Sequence, residues 1–342
     1  MTIPNSPKPS EPRVLVLGGN PSPWRAQDKP ADAASMSGIE AWVYAFNGDY
    51  RQGKTAKQHD IAGYDIVFGN TNLDSLAHLL SLAESRPAGQ KWVILIEGSA
   101  TDYVYPRADV VRLFNAGDLV NVINKHSVDL FRGMTTSRVE YIGIPYPAEE
   151  IRKLGTPIDQ RKREVFLCPF LSARWSEVFV ARRLSLPYYG LERRLSRRLN
   201  TIASTWKKYG SINPHYFYQH SRELYEEPGL DIRPERALKD HMQIDGQAYL
   251  WLNFDERYTW GRHVLDAAAM QVPIIATRST GHAEDFFPDL LLENPFELEK
   301  AYQYATRLIE DRDFYEAMCR IPIERFEHLL PQTMKETLLR AL

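Results

Sequence analysis

From Arg13 onward, short apolar runs alternate with stretches whose apolar positions recur every three to four residues. In the first half the runs are Val14 to Leu17, Ala41 to Phe46, Asp65 to Phe68, Lys91 to Glu97, Leu119 to Ile123 and Val139 to Ile144. Between the third and fourth, Leu76, Leu79, Leu80 and Ala83 fall at helical spacing, which predicts a helix over Leu73 to Ala83. The pattern resumes in the second half with strands predicted at Glu164 to Phe170, Leu186 to Tyr189, Tyr249 to Phe254 and Pro273 to Thr277. A helix is predicted from Gly261 to Met270, and others over Glu297 to Ile309, Asp313 to Arg320 and Glu324 to Leu342. Strands that are apolar almost throughout, alternating with helices, imply parallel sheets covered on both faces.

The alternation is interrupted once, at GIPYPAEEIRKLGTP from Gly143 to Pro157. The expected organisation is therefore a loose Pro/Ser-rich tail over 1–12, a Rossmann-like domain over 13–146, a linker over 147–163 and a second Rossmann-like domain over 164–321. A final segment, 322–342, is expected to cross back to the first domain. Residues 211–246 give no clear pattern.

At 342 residues, 44% apolar and 25% charged, the chain can bury two ordinary cores without disulfides. Apolar runs such as Trp92 to Ile96 are too short to span a bilayer, and the start lacks a basic-then-apolar signal, so a cytoplasmic protein is expected. Cys168 and Cys319 have no ligand or redox spacing and read as small core residues. Nine histidines form no HxxxH or HExxH pattern, and no metal site is expected. The net charge of -2 is unevenly placed. Arg152 to Lys208 carries fourteen Lys/Arg against four acidic residues, an excess of +10. Such a block favours anionic partners. Within it Leu195, Leu199 and Ile202 make an apolar stripe flanked by Arg193, Arg194, Arg197 and Arg198, suited to a DNA backbone or, alternatively, an anionic membrane surface.

Candidate chemistry concentrates in Tyr249 to Gly281, which reads as strand, loop, helix, strand and Gly-containing turn. Ligands of open α/β sheets lie beyond the carboxyl ends of the strands, and the N–H groups at a helix start accept phosphate. Arg262 would reinforce a diphosphate there, and Asp266 is an acceptor suited to ribose hydroxyls; the alternative is a dipole contact and a plain ion pair. Glu97, at the end of a central strand in the first half, is placed to accept a proton from an attacking hydroxyl, with Asp102 just beyond it. Gly18-Gly19-Asn20 lacks the full GxGxxG spacing and reads as a loop permitting close approach.

The segment Trp260-Gly261-Arg262-x-x-Leu265-Asp266-Ala267-x-Ala269-x-x-x-Pro273-Ile274-Ile275-Ala276-Thr277 resembles the donor motif GxxxLEAMAxGxPVIA of family-4-like glycosyltransferases in the GT-B superfamily. That resemblance implies a GT-B fold of two facing Rossmann-like domains with parallel sheets, a UDP-sugar donor in the second domain and no cofactor or metal. Asp266 takes the place of the helical glutamate, and Tyr258 stands where the other glutamate of an E-x7-E pair would fall, which departs from the family-4 pattern. Thr280 and Gly281 would form the glycine loop. The layout is also similar to that of phage DNA β-glucosyltransferases. There, Ser172 and Arg174 in VFLCPFLSARWSE would hold the diphosphate, Tyr189-Gly190 would end the next donor-side strand, and Glu97 would be the base. The implied acceptor is a 5-hydroxymethylated base, flipped from the duplex. The alternatives are a glycolipid or polysaccharide glycosyltransferase, and a non-catalytic binder of sugar nucleotides or nucleic acid.

Overall fold

The structure, a computed structural model, describes residues 11–19, 24–25, 38–71, 75–96, 100–103, 108–168, 175–192, 227–234 and 238–342. These divide into two compact units, the first within 11–98, 102–146 and 329–342, the second at 100–101 and within 147–328.

The first unit is built on a seven-stranded sheet in the order β2-β3-β1-β4-β5-β6-β7. Its strands are β1 (Val14–Gly18), β2 (Trp24–Arg25), β3 (Asp49–Gln52), β4 (Ile66–Asn70), β5 (Lys91–Leu95), β6 (Leu119–Val122) and β7 (Arg138–Tyr141). All pairings are parallel except the short edge pair β2–β3, which is antiparallel. The unbroken VLVLG and IVFGN runs are buried along their whole length, as strands with helices on both faces require. Helices α1 (Glu40–Phe46), α2 (Leu76–Glu84) and α3 (Ala108–Ala116) belong to this unit.

One run expected as a strand is a helix. Ala41 to Phe46 is helical, and the strand falls on Asp49–Gln52. Six consecutive apolar or aromatic residues carry no period of their own, so packing decides between helix and strand. Asn47, left-handed at φ 48°, ends α1 by donating its amide to the Tyr44 carbonyl, a role asparagine tolerates.

The second unit holds a six-stranded parallel sheet in the order β10-β9-β8-β11-β12-β13. The strands are β8 (Lys162–Leu167), β9 (Tyr188–Glu192), β10 (Leu230–Pro234), β11 (Ala248–Asn253), β12 (Ile274–Thr277) and β13 (Leu291–Leu292). Its longer helices are α4 (Trp175–Arg183), α5 (Leu238–Asp245), α6 (Arg262–Ala269), α7 (Leu298–Glu310) and α8 (Arg312–Cys319). Strand order reverses between β8 and β11, the position where open α/β sheets bind ligands. Cys168 and Cys319 are both buried, and neither is in a disulfide among the described residues.

Beyond α8, Ile323–Leu329 is a 3-10 segment rather than an α-helix, and the last helix, α9 (Pro331–Ala341), starts on Pro331, where the missing N–H costs nothing. It packs on α1 within the first unit, with Lys335 Nζ 2.9 Å from Glu11 and Arg138 Nη1 2.6 Å from the Ala341 carbonyl. No helix among the described residues is long and apolar enough to cross a membrane.

Candidate nucleotide-sugar site

In the second unit, the two loops that leave β11 and β12 are locked together at backbone level. Glu177 of α4, fully buried, accepts the Phe254 amide at 2.7 Å and so fixes the first residue after β11. Asp255 then holds Arg257 through two guanidinium bonds, both 2.9 Å, while its carbonyl accepts the hydroxyls of Thr277 and Ser279 from the β12 side. Thr259 and Thr280 form a β-bridge, and the Gly281 amide donates to the Thr259 carbonyl at 3.1 Å. Gly261 adopts φ 78° as the N-cap of α6, and a Cβ there would overlap the carbonyl of Gly281. A Cβ on Gly281 would in turn overlap the Trp260 carbonyl. Two backbones can meet this closely only where both residues are glycine.

This junction opens α6, whose N-cap Gly261 supplies no side-chain hydrogen bond. Amides of the first turn thus form a site of positive potential at the carboxyl edge of the sheet. Arg262 Nε lies 2.7 Å from Asp266 Oδ1 one turn on, with both side chains largely buried. Tyr258, at the apex of the β11 loop, is 40% exposed, and its carbonyl accepts the Ala100 amide at 3.2 Å. Trp260 and Thr280 are buried, with the Arg262 guanidinium 5.8 Å from the Trp260 ring centroid.

Beneath lies a polar cluster that sequence reasoning did not anticipate. Tyr189, fully buried, stacks on Phe166 at 5.1 Å, and its hydroxyl donates to Asp245 Oδ1 at 3.2 Å. Arg233 covers the Tyr189 ring at 3.6 Å and pairs with Glu164 at 3.1 Å. Burial pushes the Asp245 carboxyl up to about 7, against the opposing pull of the Tyr189 hydroxyl and Arg233 and with the help of nearby Asp266. Burial likewise raises the Tyr189 hydroxyl. The Tyr189 side chain is thus committed to the core under the site. Gly190 has room around its Cα, with only Leu230 at 4.0 Å from a built Cβ.

At the carboxyl edge of the first sheet stand buried polar side chains, Asn70, Thr71, Asn121 and Asn124. The Thr71 hydroxyl meets Tyr103 Oη at 2.5 Å and donates to the Leu95 carbonyl at 3.1 Å, and Asn121 spans Ile142, Gly143 and the Gly143 carbonyl. Asp102 lies in the 3-10 turn Ala100–Tyr103. At Gly18 the space of the missing side chain is taken by the Tyr50 ring, so its small size serves packing inside the unit; Gly19 is exposed. Glu97, Asn20, Ser172, Arg174, Arg193, Arg194, Arg197 and Arg198 lie outside the described residues. Among the described residues no group of His, Cys, Asp and Glu could hold a metal ion.

No protein-family model matches the sequence, and no curated protein does. Solved structures do. The chain is similar to the α,α-trehalose 6-phosphate synthase of Burkholderia multivorans, with 11% identity over 96% of this chain and 95% of that one, at a TM-score of 0.64. The fold is GT-B. Similarity of the same order links this GT-B chain to a trehalose-6-phosphate protein from E. coli bound with UDP-2-fluoro glucose (10% identity, 96% and 98% covered, TM-score 0.61). It extends to an α-glucosyltransferase in complex with UDP and a 13-mer DNA containing an HMU base (9% identity, 97% and 99% covered, TM-score 0.58). The last two hold UDP or a UDP-sugar in their structures. At these identities the likeness is one of fold.

Proposed function

We propose that this chain is a glycosyltransferase that moves a sugar from a UDP-sugar to an acceptor hydroxyl. The observation that carries the reading is the Gly261–Gly281 junction, which presents the start of α6 at the carboxyl edge of the second sheet with Arg262 and Asp266 in its first turns. Helix amides and arginine meet a diphosphate, and a carboxylate accepts hydroxyl protons. The Arg262–Asp266 pair holds both side chains in place before the ligand arrives. Arg174 and Ser172 are assigned to the same diphosphate, Tyr258 and Trp260 to the donor's rings, and no protein-held metal is required.

For the acceptor, a hydroxymethylated base in DNA is favoured over a lipid or polysaccharide. The +10 segment from Arg152 to Lys208 supports this, as does the likeness to a structure holding UDP and DNA. In the proposed reaction the acceptor oxygen attacks the anomeric carbon, the bond to the diphosphate breaks, and UDP leaves. Glu97 takes the hydroxyl proton, with Asp102 the next candidate. Glu97→Gln should abolish transfer to hydroxymethylated DNA and spare DNA binding, since the base acts only on the attacking hydroxyl. Full transfer by that variant removes Glu97 from the reaction.

A further inference from the structure

At the carboxyl end of β11 stands a buried amide whose acceptor is unfilled. Asn253 is 4% exposed, and its Oδ1 is buried with no hydrogen-bond partner among the described residues. Several polar groups close to it in the chain and across the strand are paired. Glu177 holds the next backbone amide, Asp255 holds Arg257, and Thr277 bonds Asp255 and Thr280. Buried polar groups in folded proteins are nearly always paired, so an unfilled one at a ligand edge calls for a cause.

Position supplies one. Alternation along the strand puts Asn253 on the same face as Trp251, whose ring lies 6.5 Å from His263 in the first turn of α6. Two residues further on, roughly 6.6 Å nearer the carboxyl edge, Asn253 stands level with the beginning of that helix. The uncapped helix start and the unfilled acceptor therefore lie toward the same edge of the sheet, and they suit different parts of one molecule. Amides at the helix start donate to phosphate oxygens; an amide oxygen accepts a hydrogen bond, for which a diphosphate at neutral pH has no donor and a sugar hydroxyl has one. Rotation about χ2 turns Oδ1 toward such a group without moving backbone.

We propose that Asn253 is a donor-recognition residue whose Oδ1 accepts a hydrogen bond from a sugar hydroxyl of the nucleotide sugar bound at the start of α6. This rests on the reading of that helix start as the donor site.

The test is calorimetric titration of the full chain and of Asn253→Leu with UDP and UDP-glucose, alongside thermal melting. Leucine has the same number and branching of side-chain heavy atoms and removes the unfilled acceptor, so the variant should bind UDP-glucose about tenfold more weakly, with melting as the check that it is folded. An equal loss for UDP assigns the hydroxyl to the ribose, and a loss confined to UDP-glucose assigns it to the transferred sugar. Unchanged affinity for both overturns the proposal. Should the leucine variant fail to fold, Asn253→Ser, polar but too short to reach, carries the same expectations for binding and is overturned by the same result. If the unaltered chain binds neither compound, the donor site itself is refuted; if it binds both and the variants bind equally well, only the role of Asn253 is.

Discussion

Gly261 is the residue on which the geometry of the second unit turns. Its φ of 78° is costly for any L side chain, and its Cα faces the Gly281 carbonyl directly. Gly261→Ala should lower stability by more than the roughly 1–2 kcal/mol of the left-handed backbone alone, because the loop after β12 must also move. It should weaken UDP binding in parallel; a normal melting temperature and normal affinity would show that the junction gives way cheaply. Asp266→Ala acts differently. It removes a charged acceptor and leaves Arg262 without its 2.7 Å partner, so UDP-sugar affinity should fall by about 1.5–3 kcal/mol with circular dichroism unchanged. Gly261 and Asp266 were legible in the sequence because each belongs to a spaced motif. Asn253, Asp245 and the Asn70–Thr71–Asn121 edge were not, since a lone polar residue at the end of an apolar run carries no pattern until the fold assembles its neighbours.

At the scale of elements, strands were easier to read than their surroundings. Buried parallel strands are continuous apolar runs, and nine of the thirteen strands among the described residues were visible; α1 was missed because AWVYAF is equally continuous, and β3, the polar DYRQ, lacks such a run altogether, as do the short β2 and β13 and the charged β10. Helix α5 lies in the stretch that gave no pattern. It ends on Asp245, where burial, with nearby Asp266, opposes a charge. A carboxyl raised from 3.8 to about 7 on folding binds its proton more tightly in the native chain. Stability should therefore be greatest below about pH 4, as far as this group decides it, and fall as the pH rises to about 7. Asp245→Asn keeps an acceptor for the Tyr189 hydroxyl and cannot ionise. It should flatten that slope and raise the melting temperature at pH 8, on the order of 4 °C. Parallel melting curves for the two proteins from pH 4.5 to 8 would place the proton elsewhere.

Across the whole molecule, the near-neutral net charge conceals a basic segment and a correspondingly acidic remainder. If that segment tracks a phosphate backbone, DNA affinity must fall steeply with salt, each neutralised phosphate adding about -0.9 to the log–log slope. Replacing Arg193, Arg194, Arg197 and Arg198 by glutamine should flatten the slope and leave UDP-glucose hydrolysis nearly unchanged. Binding to anionic vesicles with indifference to DNA at low salt would instead promote a lipid acceptor. The GT-B fold could be expected from the alternation of strands and helices together with the donor-like motif, whereas an acceptor leaves no comparable repeat in the chain. The most direct test of the central claim is to incubate the protein with UDP-glucose carrying a labelled sugar, with and without hydroxymethylated duplex DNA, and follow both UDP release and the label. A UDP-sugar glycosyltransferase releases UDP and passes the label to its acceptor, with slow hydrolysis when acceptor is absent. The absence of both UDP release and measurable UDP-glucose binding would contradict it.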